Sequence, residues 1–140
     1  MKLSSKGRYA VMALADIAKF DPNEPVSLRD ISLRQGISLD YLEQLFLKLK
    51  KNNIVNSVRG IKGGYILSKD ASNIKISDIF FAVDEKVKTI GCEKHSKKGC
   101  NGKTAKCITH DLWDELEDYI NTFFEKKSLR DLLNQSTNRL

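Results

Sequence analysis

Three cysteines and one histidine are the residues of this 140-residue chain whose types and spacing suit metal binding. Cys92, Cys100 and Cys107 are all of its cysteines, and His110 completes the pattern C-x7-C-x6-C-x2-H. Cysteine is apolar enough to be scattered through a core, so its confinement to one polar, lysine-rich segment favours chemistry over packing. Because an odd number of thiols cannot pair fully, thiolate ligands are favoured over disulfides.

The spacing of these residues does not by itself identify the metal. Zinc sites usually contain a pair of cysteines separated by two to four residues, and this segment has no such pair. Its glycines would let the chain wrap around an iron-sulfur cluster, whose size does not demand close pairs. His95 follows Cys92 much as His110 follows Cys107, so zinc, iron and both histidines stay open. His110 is favoured because a predicted helix begins there.

Charge divides the sequence into regions that predict different roles. Residues 1–66 carry 11 basic and 6 acidic side chains, a balance of +5, and residues 86–107 carry 7 lysines and one glutamate, a balance of +6. Residues 108–125 carry 6 acidic side chains and no lysine or arginine. The pattern predicts a basic head, a basic loop and an acidic helix, with an acidic partner for the basic parts.

Hydropathy argues against a membrane protein. No stretch approaches the roughly 20 apolar residues that cross a bilayer, and the first residues lack the apolar run of a signal peptide. We therefore expect a cytoplasmic protein with no membrane partner. The reducing cytosol also disfavours disulfides.

The elements that position these residues follow from periodicity and turn chemistry. Helical spacing predicts helices over residues 5–20, 28–35 and 39–52, with a glycine turn at Gly36 and Ser38 as the next cap. Residues 54–58 and 65–67 predict a hairpin, and residues 76–83 a fourth helix. This is the order of a winged helix-turn-helix domain, so the expected fold class is mainly α, with DNA as the acidic partner.

The helix after the turn of such a domain enters the major groove with its early residues nearest the bases. The candidate DNA-binding residues are the polar side chains of this helix and the hairpin: Ser38, Asp40, Tyr41, Glu43, Gln44, Lys48, Lys51, Arg59 and Lys62. Glutamate can accept from cytosine and glutamine can pair with adenine, whereas lysines suit phosphate and an arginine suits a narrow minor groove. The alternative is that these side chains only cap or solvate a surface helix.

The acidic helix carries an apolar stripe too wide for one contact with a small head. The candidate dimer interface is Leu112, Trp113, Leu116, Tyr119, Ile120 and Phe123. A homodimer would recognise a palindromic DNA operator; the alternative is burial within the same subunit. An S-x-x-D cap at Ser128 predicts a last short helix containing Leu129, Leu132 and Leu133, with residues 135–140 as a loose tail.

The sequence closely resembles the IscR family of iron-sulfur cluster regulators. The resemblance rests on LSSKGRYA at residues 3–10, QGIS at 35–38, YLEQLF at 41–46, SVRG at 57–60, GGY at 63–65, and the pair Cys107 and His110. The loop is longer here than in the family pattern.

The resemblance implies a homodimeric transcription factor, mainly a repressor, that senses cluster supply and controls cluster biogenesis genes. It implies a 2Fe-2S cluster bound by Cys92, Cys100, Cys107 and His110, with cluster donor proteins as partners. The chain would divide into a DNA-binding domain at 1–84, a cluster-binding loop at 85–107, and a dimerisation helix with its tail at 108–140.

Other functions fit parts of the pattern. A regulator of the same fold could sense nitric oxide or iron, or hold structural zinc in a constitutive repressor. An electron-transfer protein would need the cluster but not the reading helix and wing. An enzyme is not expected, because the sequence has no paired carboxylate site, nucleophile-base pattern or phosphate loop.

Overall fold

The structure is a computed structural model that describes residues 3–87 and 108–137. Its elements, in chain order, are α1 (Ser5–Ala18), α2 (Leu28–Gln35), α3 (Leu39–Lys51), β1 (Val55–Val58), β2 (Gly64–Leu67), a 3-10 turn (Ala71–Asn73), α4 (Ile76–Ala82), α5 (His110–Lys126) and α6 (Leu129–Thr137). The predicted order of helices and hairpin is confirmed, and with it the mainly α, winged helix-turn-helix fold class.

Helix α1 is the central support of the head. Ser4 caps its start by accepting a hydrogen bond from the backbone N–H of Lys6. Ala10, Leu14 and Ile17 are buried along one face, as the helical spacing predicts. The helix ends two residues earlier than predicted because the next two N–H groups bond in the tighter i to i−3 pattern, Phe20 N to Ile17 O among them.

The helix-turn-helix follows from two serine caps and one glycine. The Ser27 hydroxyl accepts from the N–H of Asp30 at 3.1 Å and starts α2. Gly36 ends that helix with a φ of +66°, which glycine adopts without the steric cost that a side chain brings. Ser38 then caps α3. The apolar face predicted for α3 is confirmed, since Leu42, Leu45, Phe46 and Leu49 are all buried.

The wing is an antiparallel hairpin in which Val55 pairs with Leu67 and Val58 with Gly64. Val26 adds a third partner, since its N–H and carbonyl both bond to Tyr65, at 3.0 and 2.8 Å. The backbones approach so closely that a Cβ at Gly64 would collide with the Val26 carbonyl. Gly64 therefore lets the wing lie against the segment that leads into α2.

The C-terminal helices pack on the same core as the head. The Phe124 ring of α5 lies 4.8 Å from the Phe80 ring of α4. Leu129 of α6 is fully buried, and Ser128 and Asp131 form the predicted cap, with each side chain bonding to the other's N–H. Helix α6 continues to Thr137, so the prediction of a loose tail is wrong for residues 135–137.

Candidate nucleic-acid interface and metal ligands

The face of α3 opposite the core is open and mostly polar, with Leu47 as an exposed apolar residue among its polar side chains. Asp40, Glu43 and Gln44 are exposed on it, as expected for side chains that read a nucleic acid. Ser38 is also exposed, and its hydroxyl accepts from the N–H of Tyr41 at 3.5 Å. The early turns of α3 therefore present two carboxylates and one amide outward.

Tyr41 differs from its neighbours on α3 because it is only half-exposed and contacts α1. Its hydroxyl lies 2.9 Å from the Ser5 hydroxyl. Its ring lies edge-on to the Tyr9 ring, with 5.9 Å between centroids. Tyr41 thus links the start of α1 to the reading helix.

The two candidate phosphate-binding lysines of α3 have different surroundings. Lys51 is exposed in the last turn of the helix. The Lys48 ammonium lies 3.3 Å from a carboxylate oxygen of Asp84, just after α4. Lys48 is therefore engaged within the chain before any partner arrives.

The wing places its two cations at an exposed turn. Arg59 and Lys62 are exposed on either side of Ile61, whose side chain is also fully exposed. Gly60 has a φ of +124° and accepts a hydrogen bond from Gly63 N–H at 2.9 Å, which closes the turn. The hairpin therefore holds Arg59 and Lys62 outward on a defined turn.

The inner sides of the wing and α3 are packed together. The Tyr65 ring of β2 lies 4.9 Å from the Phe46 ring on the buried face of α3. The candidate contacts on α3 and on the wing thus share one rigid support.

A buried carboxylate braces the helix-turn-helix against α1. Asp16 is 2% exposed and receives two short bonds from the Arg34 guanidinium, at 2.7 Å and 3.0 Å, and one from the Gln35 amide at 2.8 Å. Burial alone would raise the pKa of Asp16, but these hydrogen bonds outweigh it, so the pKa lies below the usual 3.8. The charged form of Asp16 therefore holds the end of α2 and the turn in place.

Of the four candidate metal ligands, the structure describes His110. Cys92, Cys100 and Cys107 lie outside the described residues. His110 is the first residue of α5 and is buried, with Nε2 lying 3.1 Å from Asp114 Oδ2 one turn later. Metal-binding histidines commonly have such a carboxylate beside the ring, so this donor fits a metal ligand. Within residues 3–87 and 108–137, no three histidine, cysteine or acidic side chains converge on a metal site.

The apolar stripe of α5 separates into two parts. Leu112, Leu116, Tyr119 and Phe123 are exposed and recur every three or four residues, so they form one outward ridge. Ile120 is half-buried and packs on the core of its own chain. Trp113 is also half-buried, and its indole N–H donates to the Thr109 hydroxyl at 3.2 Å. The outward ridge is the part available to a second subunit.

Sequence reasoning missed Ser5 and Asp84. Ser5 lies in the predicted α1, but nothing in the periodicity indicates its contact with Tyr41. Asp84 follows α4 as an ordinary polar residue, and only the folded chain brings it to Lys48. No local pattern could have identified either contact, because the partners are 36 residues apart in both cases.

Comparisons with known proteins match nearly the whole chain to transcriptional regulators. The profile of the Rrf2 family, described as iron-dependent transcriptional regulators, matches residues 3–135. The HTH-type transcriptional regulator IscR of Photorhabdus laumondii is 52% identical over 134 residues, which cover 96% of this chain and 80% of that protein. The same regulator from Escherichia coli strain K12 / DH10B is 52% identical over 134 residues, covering 96% and 81%.

Solved structures of transcriptional regulators have the same fold as this chain. IscR of T. potens has a TM-score of 0.76 at 34% identity, covering 97% of this chain and 88% of that one. CymR, the global cysteine regulator of B. subtilis, has a TM-score of 0.79 at 27% identity, covering 96% and 98%. These relatives are transcriptional regulators rather than enzymes. None of the helices in the described ranges is long and apolar enough to span a membrane.

Proposed function

Because the chain belongs to the Rrf2 family of transcriptional regulators, we propose that it binds DNA, mainly as a repressor, and senses iron-sulfur cluster status through a 2Fe-2S cluster. Its targets in this proposal are the genes of cluster biogenesis. The proposal is supported most by the 52% identity to IscR proteins along nearly the whole chain. The exposed side chains of Asp40, Glu43 and Gln44 on α3 add structural support for the DNA-binding part of the proposal.

DNA recognition would centre on the early turns of α3. Glu43 can accept a hydrogen bond from cytosine N4, and Gln44 can pair with adenine N6 and N7. Asp40 and Glu43 repel phosphate, so they weaken binding to sites that offer no compensating donor. Lys51 and Lys62 would hold phosphates, and Arg59 would enter the minor groove from the wing.

The cluster ligands in this proposal are Cys92, Cys100, Cys107 and His110. A bound 2Fe-2S cluster would supply a redox-sensitive group that can be gained and lost. His110 is suited to this role because α5 fixes its backbone at the helix start. The Asp114 carboxylate lies beside the ring, with Oδ2 3.1 Å from Nε2, and such a neighbour commonly orients a metal-binding histidine. A histidine ligand also makes binding sensitive to protons, since the imidazole must be neutral to bind iron.

A homodimer would form through the outward ridge of α5, Leu112, Leu116, Tyr119 and Phe123. Exposed apolar ridges of this kind are costly in water unless a partner covers them. An apolar cavity of about 380 Å³ continues from Phe123 towards α1, with Val11 and Met12 in its wall. Two subunits related by a two-fold axis would present two α3 helices to a palindromic operator in the cytoplasm.

The proposed coupling runs from the cysteine loop to the reading helix. Binding of the cluster by the cysteine loop would bias the helices beside that loop. His110 begins α5, and Phe124 of that helix packs on Phe80 of α4. A shift of α5 would therefore be transmitted through the contact between Phe124 and Phe80 to α4 and the DNA-binding head.

Anaerobic purification, followed by visible absorption and metal analysis, tests the cofactor. We expect iron and acid-labile sulfide in equal amounts, with the absorption lost in Cys92→Ser, Cys100→Ser and Cys107→Ser variants. His95→Ala is the matched control and should keep the cluster. Stoichiometric zinc without iron would instead indicate a structural metal and would contradict the sensor.

A further inference from the structure

Asp84 has an unusual backbone conformation at the end of α4. Its φ is +59°, in the left-handed region that residues with a side chain seldom adopt. Asp84 is the left-handed residue that ends α4, a position that aspartate and asparagine adopt more readily than other side chains do.

The next residue, Glu85, is held in place by contacts with both α1 and α4. Its carboxylate is buried, and Oε2 accepts a hydrogen bond from the Ser4 hydroxyl at 2.7 Å. Its N–H donates to the Phe80 carbonyl at 2.8 Å. Gly7 makes room for it, because a Cβ there would lie 2.8 Å from Glu85 Cγ. The start of α1 and the end of α4 thus clamp Glu85 and set the residue before it.

Two lysine ammonium groups lie within bonding distance of oxygens of Asp84. Its side-chain oxygen Oδ2 lies 3.3 Å from the Lys48 ammonium, and its backbone carbonyl accepts from the Lys6 ammonium at 3.2 Å. Lys48 belongs to α3, and Lys6 follows Ser5, which contacts Tyr41 of that helix. Asp84 therefore offers oxygens to cations beside the candidate DNA-reading face, as a phosphate would.

We propose that Asp84 competes with DNA phosphate for Lys48 and thereby lowers the affinity of the protein for DNA. This proposal rests on the proposed DNA-binding function and on a phosphate role for Lys48. The competition is reversible because the ion pair is open to water, with side-chain exposures of 45% and 72%. A pair so exposed is weak enough for phosphate to displace it.

The test is a double-mutant cycle with Asp84→Asn and Lys48→Gln in the full chain. Asparagine tolerates positive φ, so Asp84→Asn removes the charge while keeping the backbone. Phosphate contacts do not depend on sequence, so the probe is a fluorescein-labelled mixed-sequence duplex of about 30 base pairs at about 50 mM salt. Anisotropy titration gives each dissociation constant.

We expect Asp84→Asn to bind about two- to fivefold more tightly than wild type, and Lys48→Gln to bind more weakly. Asp84→Asn should have no effect in the Lys48→Gln background. Asp84→Gly, which also accepts positive φ, should repeat the gain. Glu115→Gln removes an exposed negative charge from α5 and should act equally in both backgrounds.

Two results would contradict the proposed competition without contradicting the proposed DNA binding. One is that Asp84→Asn fails to tighten binding; the other is that it tightens binding equally with and without Lys48. If Lys48→Gln binds as wild type does, Lys48 has no phosphate role and the proposal fails at that step. A wild-type protein that does not bind the duplex at all would instead contradict the proposed function.

Discussion

The Asp16 carboxylate receives a two-point bond from the Arg34 guanidinium, with Oδ1 2.7 Å from Nη2 and Oδ2 3.0 Å from Nε. The acid lies on α1 and the arginine lies in the last turn of α2. The pair therefore fixes the angle at which the helix-turn-helix meets the core. The orientation of α3 depends on this angle.

Removing the Asp16 carboxylate should destabilise the protein in a pH-dependent way. The pKa of Asp16 is lower in the folded chain, so its charge adds stability above the unfolded value near 3.8, and this contribution is lost as pH falls through the folded value. We expect Asp16→Ala to lose about 2 kcal/mol in the free energy of unfolding at neutral pH. Urea unfolding should show this deficit shrinking below pH ~4. Glu24→Ala, at an exposed loop residue, should be near neutral, and a pH-independent deficit for Asp16→Ala would contradict the account.

Gly64→Ala should disturb the wing. Its Cβ would collide with the Val26 carbonyl, so the bridge between Val26 and Tyr65 must open. We expect a loss of about 1–3 kcal/mol in urea unfolding, as for other overpacked sites. Ser57→Ala, at an exposed position of β1, is the control and should change stability little. Equal stability of the two variants would show that the backbone approach is looser than described.

Glu43→Ala should widen the range of DNA sites that the protein accepts. The Glu43 carboxylate repels phosphate and favours a cytosine donor, so its loss should raise affinity for poor sites more than for good ones. Binding to a panel of operator variants should show a ratio between best and worst sites that falls about tenfold. Lys51→Ala, by contrast, should weaken all sites alike. An unchanged ratio of affinities for Glu43→Ala would contradict a role of Glu43 in discriminating between DNA sites.

His110→Cys should retain a cluster and hold it more tightly. A thiolate is charged and softer than a neutral imidazole, so it should bind the iron more firmly. Loss of visible absorption under chelator should therefore be slower in the variant than in wild type. His95→Cys is the matched control and should lose its cluster at the wild-type rate. An unchanged rate for His110→Cys would count against His110 as a ligand.

Phe123→Glu should weaken dimerisation. The ring is exposed on the outward ridge of α5, and a buried glutamate there would lack a partner across the interface. Sedimentation velocity should show a shift from dimer to monomer at micromolar concentration. Leu33→Glu changes an apolar residue on α2 that is even more exposed, and it should leave the dimer intact. Dimers of unchanged strength in Phe123→Glu would place the interface elsewhere.

The fold was predictable wherever local chemistry determines it. Ser27, Gly36 and Ser38 mark helix ends through caps and a left-handed turn, and these signals act within three or four residues. The length of α6 was not predictable, because residues 135–137 carry no strong helix signal and the cap at Ser128 defines only its start.

The candidate site was predictable in residue type but not in its contacts. The polar face of α3 follows from helical spacing, so the exposure of Asp40, Glu43 and Gln44 could be anticipated. The bond between Asp16 and Arg34 joins side chains 18 residues apart, and Asp84 lies 36 residues from Lys48. Such contacts depend on how the helices pack, which a periodic pattern does not encode.

The most direct test of the central claim is a DNA-binding titration that compares anaerobically reconstituted protein with metal-free protein at the same salt concentration. Both forms would be measured against the same panel of candidate operators, since salt alone shifts affinity strongly. If cluster binding controls DNA recognition, the order of preference among the sites should differ between the two forms. Identical preferences in both states would contradict the account.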